Sequence, residues 1–501
     1  MVKNKNQFGY TILALLIAAM LCFSSCTGTK NNTDSKEQTG NDSQTENGES
    51  NDPNVDGDGS GIETNTDYAG SNVSGGGVNS DGSKIPGTAS GNSRSGTTSN
   101  ASSKNPPAGT VLDMEGYQFV IGTAYYSNYK NSSGVLDPNH PLMKAAAKVE
   151  KDYNCKIKFL SFPSVSGAAT QIINTVMSGE KLCDVAQIQF SRTRFVAKAK
   201  ASHDLNTLPG LDLKNGNFSD PMTFASTFNG KTYAVDFGGT GNVQGLFYNK
   251  SLLKTYAPGY NIDDMYNKGT WTEANFETML RQIKAAGKIG LTGDTGILAL
   301  TSAANAGGTT YKENNSVKFG IVTEDGVVGL NYVKKLYNDQ LWVRGANFNS
   351  GGAVFVDGAV WMNKNYPDVD MGFVPWPKGL KNKHIIPMGD GPAWCVPSTV
   401  KKKDYVGTII NALSTSAAEM QNSLMKSYSD AGFDKASIDR IKWAQNNHSV
   451  DMTSGPEDLG KYSPIIDNSV FDKNTEPASA MQSIRAAAQQ IYDDYYKTLG
   501  K

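Results

Sequence analysis

The four histidines, His140, His203, His384 and His448, show no HExxH spacing and so place no pair of imidazoles on one helix face to hold a catalytic metal. No GxSxG turn and no Walker-type loop occurs, and the glycine run Gly75 to Gly77 precedes no helix. Acidic residues fall mostly on polar helix faces or in loops. Nothing marks a pair that would face a sugar bond at the roughly 5–9 Å that glycoside hydrolysis requires. With 47 Lys+Arg against 48 Asp+Glu, bulk charge gives no reason to expect a nucleic-acid partner. The conspicuous residues are aromatic. Three of the six tryptophans, Trp361, Trp376 and Trp394, fall in one stretch, and Tyr125-Tyr126 directly follows an apolar run. Aromatic planes with a few placed polar groups suit the lining of a ligand pocket.

The elements that must position these residues alternate in type. Tyr117 to Gly122 reads as a strand, His140 to Tyr153 as an amphipathic helix, Lys156 to Phe162 as a strand, Ala168 to Met177 as a helix and Asp184 to Gln189 as a buried strand. Such alternation argues for an α/β fold with a parallel, doubly wound sheet, whose ligands sit at the carboxyl ends of strands. The loops of interest are then Ala124-Tyr125-Tyr126, Pro163-Ser164 and Phe190-Ser191-Arg192. Further on, Leu246 to Asn249, Gly358 to Met362, Met371 to Val374 and Ala393 to Val396 read as strands. Trp271 to Lys284 reads as a helix that Thr270 or Thr272 can cap, and Val327 to Asn338 and the tail from Ala478 to Leu499 as further helices. About 390 residues from Thr110 onward exceed one ordinary core and imply two lobes.

Only 38% of residues are hydrophobic, because a long segment lacks them. From Thr27 to Pro107 the chain is Gly, Ser, Asn, Thr and Asp with scattered charge and no Leu, Phe, Met or Trp, which cannot offset its ordering entropy. Residues 26–107 form a disordered tether, with an r.m.s. span of roughly 50 Å. Ahead of it, Lys3 and Lys5 precede the uncharged run Tyr10 to Phe23, the pattern of a secretory signal over residues 1–25. Phe23-Ser24-Ser25-Cys26 resembles the lipobox of bacterial lipoproteins, where the cysteine is lipidated and becomes the new N-terminus. Phe23 departs from the leucine usual there; the alternatives are an ordinary signal peptide cleaved nearby or an uncleaved anchor. A diacylated Cys26 would hold the chain stably on the outer face of a cell membrane. Cys155, Cys183 and Cys395 show no CxxC or Cys/His metal spacing and read as small buried hydrophobes, with a Cys155–Cys183 bridge as the alternative.

Six segments in order carry a family resemblance: SGEKLCDVAQIQ (Ser178 to Gln189), HDLNTLPGLDL (His203 to Leu213), FNGKTYAVDFG (Phe228 to Gly238), LFYNKSLLK (Leu246 to Lys254), GTWTEANFETMLRQIKAAG (Gly269 to Gly287) and VDMGFVPWPKG (Val369 to Gly379). Together they resemble the family 1 extracellular solute-binding proteins of ABC importers, within the carbohydrate-type, maltose-binding-protein-like group. The resemblance implies a two-lobed periplasmic-binding-protein-like fold of type II. Crossings would fall at Ala234 to Phe237, near Met371 to Trp376 and near Ala431. The first lobe would be residues 110–236 plus 372–430, the second 237–371 plus 431–501. It further implies a monomer that binds a small solute, a sugar and more narrowly an oligosaccharide, in the interlobe cleft, with ABC permease subunits as partners, no cofactor, no metal and no catalysis.

A sugar offers hydroxyls in fixed directions and apolar CH faces. The residues such a cleft would recruit are Tyr125, Tyr126, Gln189, Phe190, Arg192, Asp236, Trp361, Trp376, Asp390 and Trp394. Each has a plainer alternative. Trp361 could be core, Trp376 between two prolines could stiffen a crossing, Asp236 could satisfy hinge backbone, and Arg192 could be solvated. One of Tyr125 and Tyr126 faces the cleft while the other packs. Trp394, after the turn-rich Gly389-Asp390-Gly391-Pro392, is the tryptophan expected to be most exposed. An exported carbohydrate-active enzyme and a receptor feeding a sensor kinase are the rival functions.

Overall fold

The computed structural model describes residues 112–237, 242–308, 311–313, 316–382, 385–450 and 465–499. Cys26, the signal segment and the tether lie outside these residues, as does His384. In chain order the strands are β1 (Tyr117–Thr123), β2 (Cys155–Ser161), β3 (Val185–Gln189), the short β4 (Thr227–Phe228) and β5 (Lys231–Thr232), β6 (Asn242–Asn249), β7 (Ile289–Thr292), the hairpin β8 (Tyr311–Glu313) and β9 (Ser316–Lys318), β10 (Ala353–Ala359), β11 (Met371–Val374), β12 (Met388–Asp390), β13 (Pro392–Cys395) and β14 (Ser449–Val450).

Two sheets organise the two lobes. The first has the order β13-β3-β1-β2, with β1, β2 and β3 parallel and β13 antiparallel to β3. The helices Pro141–Tyr153 and Ala168–Met177 make the crossovers. Pro141 sits in the first turn, where its missing N–H costs nothing, and His140 Nδ1 accepts from the Leu142 N–H at 3.2 Å. Asn154 ends that helix in the left-handed region at φ 49° and turns the chain straight into β2. The second sheet has the order β14-β12-β6-β10-β7, with β11 also paired to β6. Its long β10, AVFVDGA, is buried along its whole length, as a strand covered on both faces must be. Thr272 is the cap of helix Glu273–Ala285, its side chain accepting from the Asn275 N–H at 3.3 Å.

Both β11 and β12 pair with β6, so the return to the first sheet, expected near Met371 to Trp376, comes at Gly391. The apolar run Met371–Val374 is fully buried beside Leu246 to Asn249, which holds it in the second sheet. Close to Ala431, helix Ala417–Asp430 packs its Met420 in the core of the first lobe with Leu142 and Val396. Its Met425 and Tyr428 lie in the core of the second lobe with Phe247 and Phe433. The last helix, Pro477–Tyr496, also touches both lobes. Tyr492 stacks on Phe319 at 5.2 Å, whereas Tyr496 stacks on Phe228 at 5.0 Å and accepts from Arg194 Nη1 at 2.9 Å.

Two expectations change. Trp361 is not in a strand: β10 ends at Ala359, and Trp361 lies in a 3-10 turn over Val360–Asn365. Phe190-Ser191-Arg192 is not a loop but the first turn of helix Phe190–Lys198, which follows β3 directly. The three cysteines Cys155, Cys183 and Cys395 are buried and free. Cys155 lies opposite Tyr117 while Cys183 packs by Gly122, five residues along β1 and so roughly 16 Å away, too far to bridge.

Candidate functional site in the interlobe cleft

Strand direction decides where a site can form. In the first sheet the carboxyl ends of the parallel strands, Thr123, Ser161 and Gln189, share one edge, and β13 begins there because Pro392 pairs with Gln189. In the second sheet β7 and β10 are parallel, and β6 and β12 are antiparallel to each other. Antiparallel pairing of β6 with β10 sets Gln244 opposite Ala359, and β12 sets Asp390 opposite Asn242. The carboxyl ends of β7, β10 and β12 therefore line one edge with the start of β6. Gly391 is the single residue between β12 and β13, so the two edges meet there. Ligands of open α/β sheets sit at carboxyl-end edges of this kind.

On the first-lobe side, Gln187 Oε1 accepts from Thr123 Oγ1 at 2.8 Å and from the Tyr129 hydroxyl at 2.6 Å. Thr123 Oγ1 in turn accepts from the Tyr125 N–H at 2.9 Å, which sets the turn carrying Tyr125 and Tyr126. Both tyrosines are half-buried, and Lys130 Nζ lies 5.0 Å from the Tyr126 ring centre. Burial first, then the charge of Asp236, push the Tyr129 phenol above its ordinary range. Gln189 Nε2 donates to Asp390 Oδ2 at 2.9 Å and so ties β3 to β12 across the junction. Asp390 Oδ1 accepts from the Gly391 N–H at 2.7 Å. Arg192 is half-buried with its guanidinium 5.7 Å from the Phe195 ring centre.

Trp361 supplies the exposed aromatic plane on the second-lobe side. It is 39% exposed on the turn that follows β10, with Lys364 Nζ 5.6 Å from its ring. The other aromatic candidates are buried. Phe190 packs in the core, with the Arg194 guanidinium 4.8 Å from its ring. Trp376 lies in the second-lobe core and donates from Nε1 to Glu273 Oε1 at 3.1 Å. Trp394, expected to be the most exposed tryptophan, is 1% exposed. The turn-rich stretch before it passes at once into β13, where Trp394 pairs with Gln187 and stacks on Phe237 at 4.8 Å. Asp236 is likewise buried, in the extended segment where Val235 bridges Trp394.

Three polar residues at this edge escaped the sequence reading. Asp294, exposed after β7, accepts from the Gly296 N–H at 2.8 Å and opens helix Thr295–Asn305. Gln244 is buried in β6, and Asp357 is buried within the otherwise apolar β10. The Asp-Thr-Gly start of a helix is a signal that could have found Asp294. Burial first, then the charge of Asp294, push the Asp357 carboxyl well above the usual carboxylate range. Among the described residues no group of three or more His, Cys, Asp and Glu could hold a metal ion, and no helix is long and apolar enough to cross a membrane.

Comparison with known proteins gives the arrangement its context. Residues 144–450 match the family described as bacterial extracellular solute-binding protein. No curated protein sequence matches the chain. The fold is similar to that of the GacH receptor of Streptomyces glaucescens, solved unliganded and with acarbose, at 18% identity and a TM-score of 0.55 over 76% of this chain and 99% of that one. It is also similar to the cyclic alpha-maltosyl-1,6-maltose binding protein of Arthrobacter globiformis, at 14% identity and a TM-score of 0.60 over 76% and 99%. A third likeness is to the sugar-binding protein MalE of Xanthomonas citri, at 13% identity and a TM-score of 0.58 over 75% and 98%.

Proposed function

The chain belongs to the bacterial extracellular solute-binding proteins, and from that premise we propose that it captures a sugar, most specifically an oligosaccharide, between its lobes and delivers it to an ABC importer. The observation that carries this reading is the meeting of both sheets' site-forming edges at Gly391, with Trp361 exposed on one side and Tyr125 and Tyr126 half-buried on the other. Aromatic planes on two lobes suit the two CH faces of a pyranose, while Gln189, Arg192, Asp294 and Asp390 offer the amide, cation and carboxylates that hydroxyls pair with. Phe190, Asp236, Trp376 and Trp394 are buried and leave the contact with solute to the other candidates. Sugar-binding neighbours of the same fold, such as a protein crystallised with maltotetraose, favour this solute class.

Delivery needs a second state. A solute that contacts both lobes stabilises their approach over their separation, by no more than its differential affinity for the two arrangements. The closed form is then the one a permease recognises. Lipidation of Cys26 on the outer membrane face, with residues 26–107 as a tether, would keep the receptor near that permease while it searches outside. We assign residues 112–237 with the stretch from β13 into helix Ala417–Asp430 to the first lobe, and the remainder to the second. A thermal-shift screen of neutral oligosaccharides tests the reading. At a thousand-fold excess of ligand over Kd, binding adds about 4 kcal/mol, or about 5 °C in Tm for a domain of this size. Stabilisation by a peptide or an ion and by no sugar would refute the solute class. Release of shorter sugars would refute the binding role.

A further inference from the structure

Asp357 stands out among the polar groups of the second lobe. It is a lone acid in a strand that is otherwise Ala, Val, Phe and Gly, and it is 4% exposed. Its Oδ1 accepts from the Asp294 N–H at 2.9 Å, whereas its buried Oδ2 has no hydrogen-bond partner among the described residues. The turn it holds is unusual in itself. Gly293 adopts φ +144°, which side-chain-bearing residues avoid, and a Cβ there would lie 1.4 Å from Asp357 Oδ1 and 2.5 Å from its Cγ. Glycine at 293 and the acid at 357 therefore fit each other as a lock. The backbone runs against the carboxyl with no room between, and the next residue, Asp294, is directed to the exposed edge where β7 ends.

We propose that Asp357 is a positioning residue for solute binding: its buried carboxyl group templates the Gly293–Asp294 turn and thereby presents Asp294 to the hydroxyl groups of a sugar in the cleft. This rests on the reading of the cleft as a sugar site. Conserving the shape of the buried group matters more than its charge, because burial and the neighbouring Asp294 both favour its neutral form. Asparagine, which matches the neutral acid in size and keeps the acceptor for the Asp294 N–H, should substitute for it. Alanine removes the acceptor and opens space beside Gly293.

Four variants, Asp357→Asn, Asp357→Ala, Gly293→Ala and the double Asp357→Ala/Gly293→Ala, separate positioning from plain structure. Two quantities are read: hydrogen exchange of the Asp294 amide in the solute-free protein, and the calorimetric Kd for maltotetraose. Asp357→Ala is expected to speed exchange at least tenfold and to weaken maltotetraose at least tenfold, while Asp357→Asn stays within threefold of the parent on both. Gly293→Ala is expected to harm both, and by at least threefold less when Asp357 is already alanine, since the colliding oxygen is gone. Unchanged exchange in Asp357→Ala, additive effects in the double variant, or faster exchange with an unchanged Kd would each overturn the proposal. Should Asp357→Ala not fold, Gly293→Ala and Asp357→Asn test the same contact with a polar group in place. A parent protein that takes up neither maltotetraose nor any other neutral oligosaccharide contradicts the sugar reading, and the exchange measurements then decide the templating of the turn by themselves.

Discussion

Substituting Glu273 by glutamine should remove a pH dependence of stability that the parent protein carries. Glu273 opens helix Glu273–Ala285 with its side chain fully buried, and its Oε1 accepts from Trp376 Nε1 at 3.1 Å and from Ser302 Oγ at 2.9 Å. Burial pushes the carboxyl up to about 7 from the ordinary 4.5, against the pull of these hydrogen bonds. Because the folded-state value is raised, the folded protein holds this proton more tightly than the unfolded chain. The resulting stability is fully present below about 4.5 and is lost as pH rises through about 7. A shift of that size corresponds to about 3 kcal/mol in all, most of which falls between pH 5 and 8. Glutamine keeps the acceptor for Trp376 and Ser302 and has no proton to lose. Urea unfolding followed by tryptophan fluorescence at pH 5, 6.5 and 8 gives the difference between parent and variant. The parent should lose about 2 to 3 kcal/mol relative to the variant from pH 5 to 8. Profiles parallel to within about 0.5 kcal/mol would show that Glu273 is not held neutral in the core, and would undo the placement of Trp376 there.

The remaining predictions divide the aromatics and test the core. Trp394→Ala, which removes a 1%-exposed indole stacked on Phe237, should cost about 3–5 kcal/mol in urea unfolding. Trp361→Ala should change stability by less than about 1 kcal/mol while weakening maltotetraose about tenfold in a calorimetric titration, since its plane is exposed at the cleft edge. Cys155, Cys183 and Cys395 should all resist a thiol reagent in the folded protein and react after unfolding, because burial pushes each thiol up, that of Cys395 to about 12.

Period and boundary signals made much of the architecture legible. The helix Ala168–Met177 and the strand Met371–Val374 coincide with their expected bounds, since each is a strongly patterned run closed by polar or turn residues. Helix Pro141–Tyr153 follows from His140, Pro141 and the apolar spacing behind them. Where a side chain points was a different matter. Trp394 and Trp361 are both preceded by glycine-bearing stretches, yet one enters a strand covered by Phe237 and the other a turn beyond a strand's end. That difference depends on tertiary packing, which local composition does not encode. Helix Phe190–Lys198 was hidden because Gln189 makes no side-chain cap, so the sequence carries no start signal. Asp357 and Gly293 were invisible for a related reason: they lie far apart in the chain, and only the parallel pairing of β7 with β10 brings them together.

The central claim is that a neutral sugar binds where the two sheets meet, and calorimetric titration of the protein with maltotetraose tests it most directly, run beside Trp361→Ala. Saturable binding at one site, with a negative heat-capacity change from burial of apolar surface and a tenfold loss in the variant, is the result expected. Equal affinity in parent and variant, or no heat from this or any other neutral oligosaccharide, would contradict it.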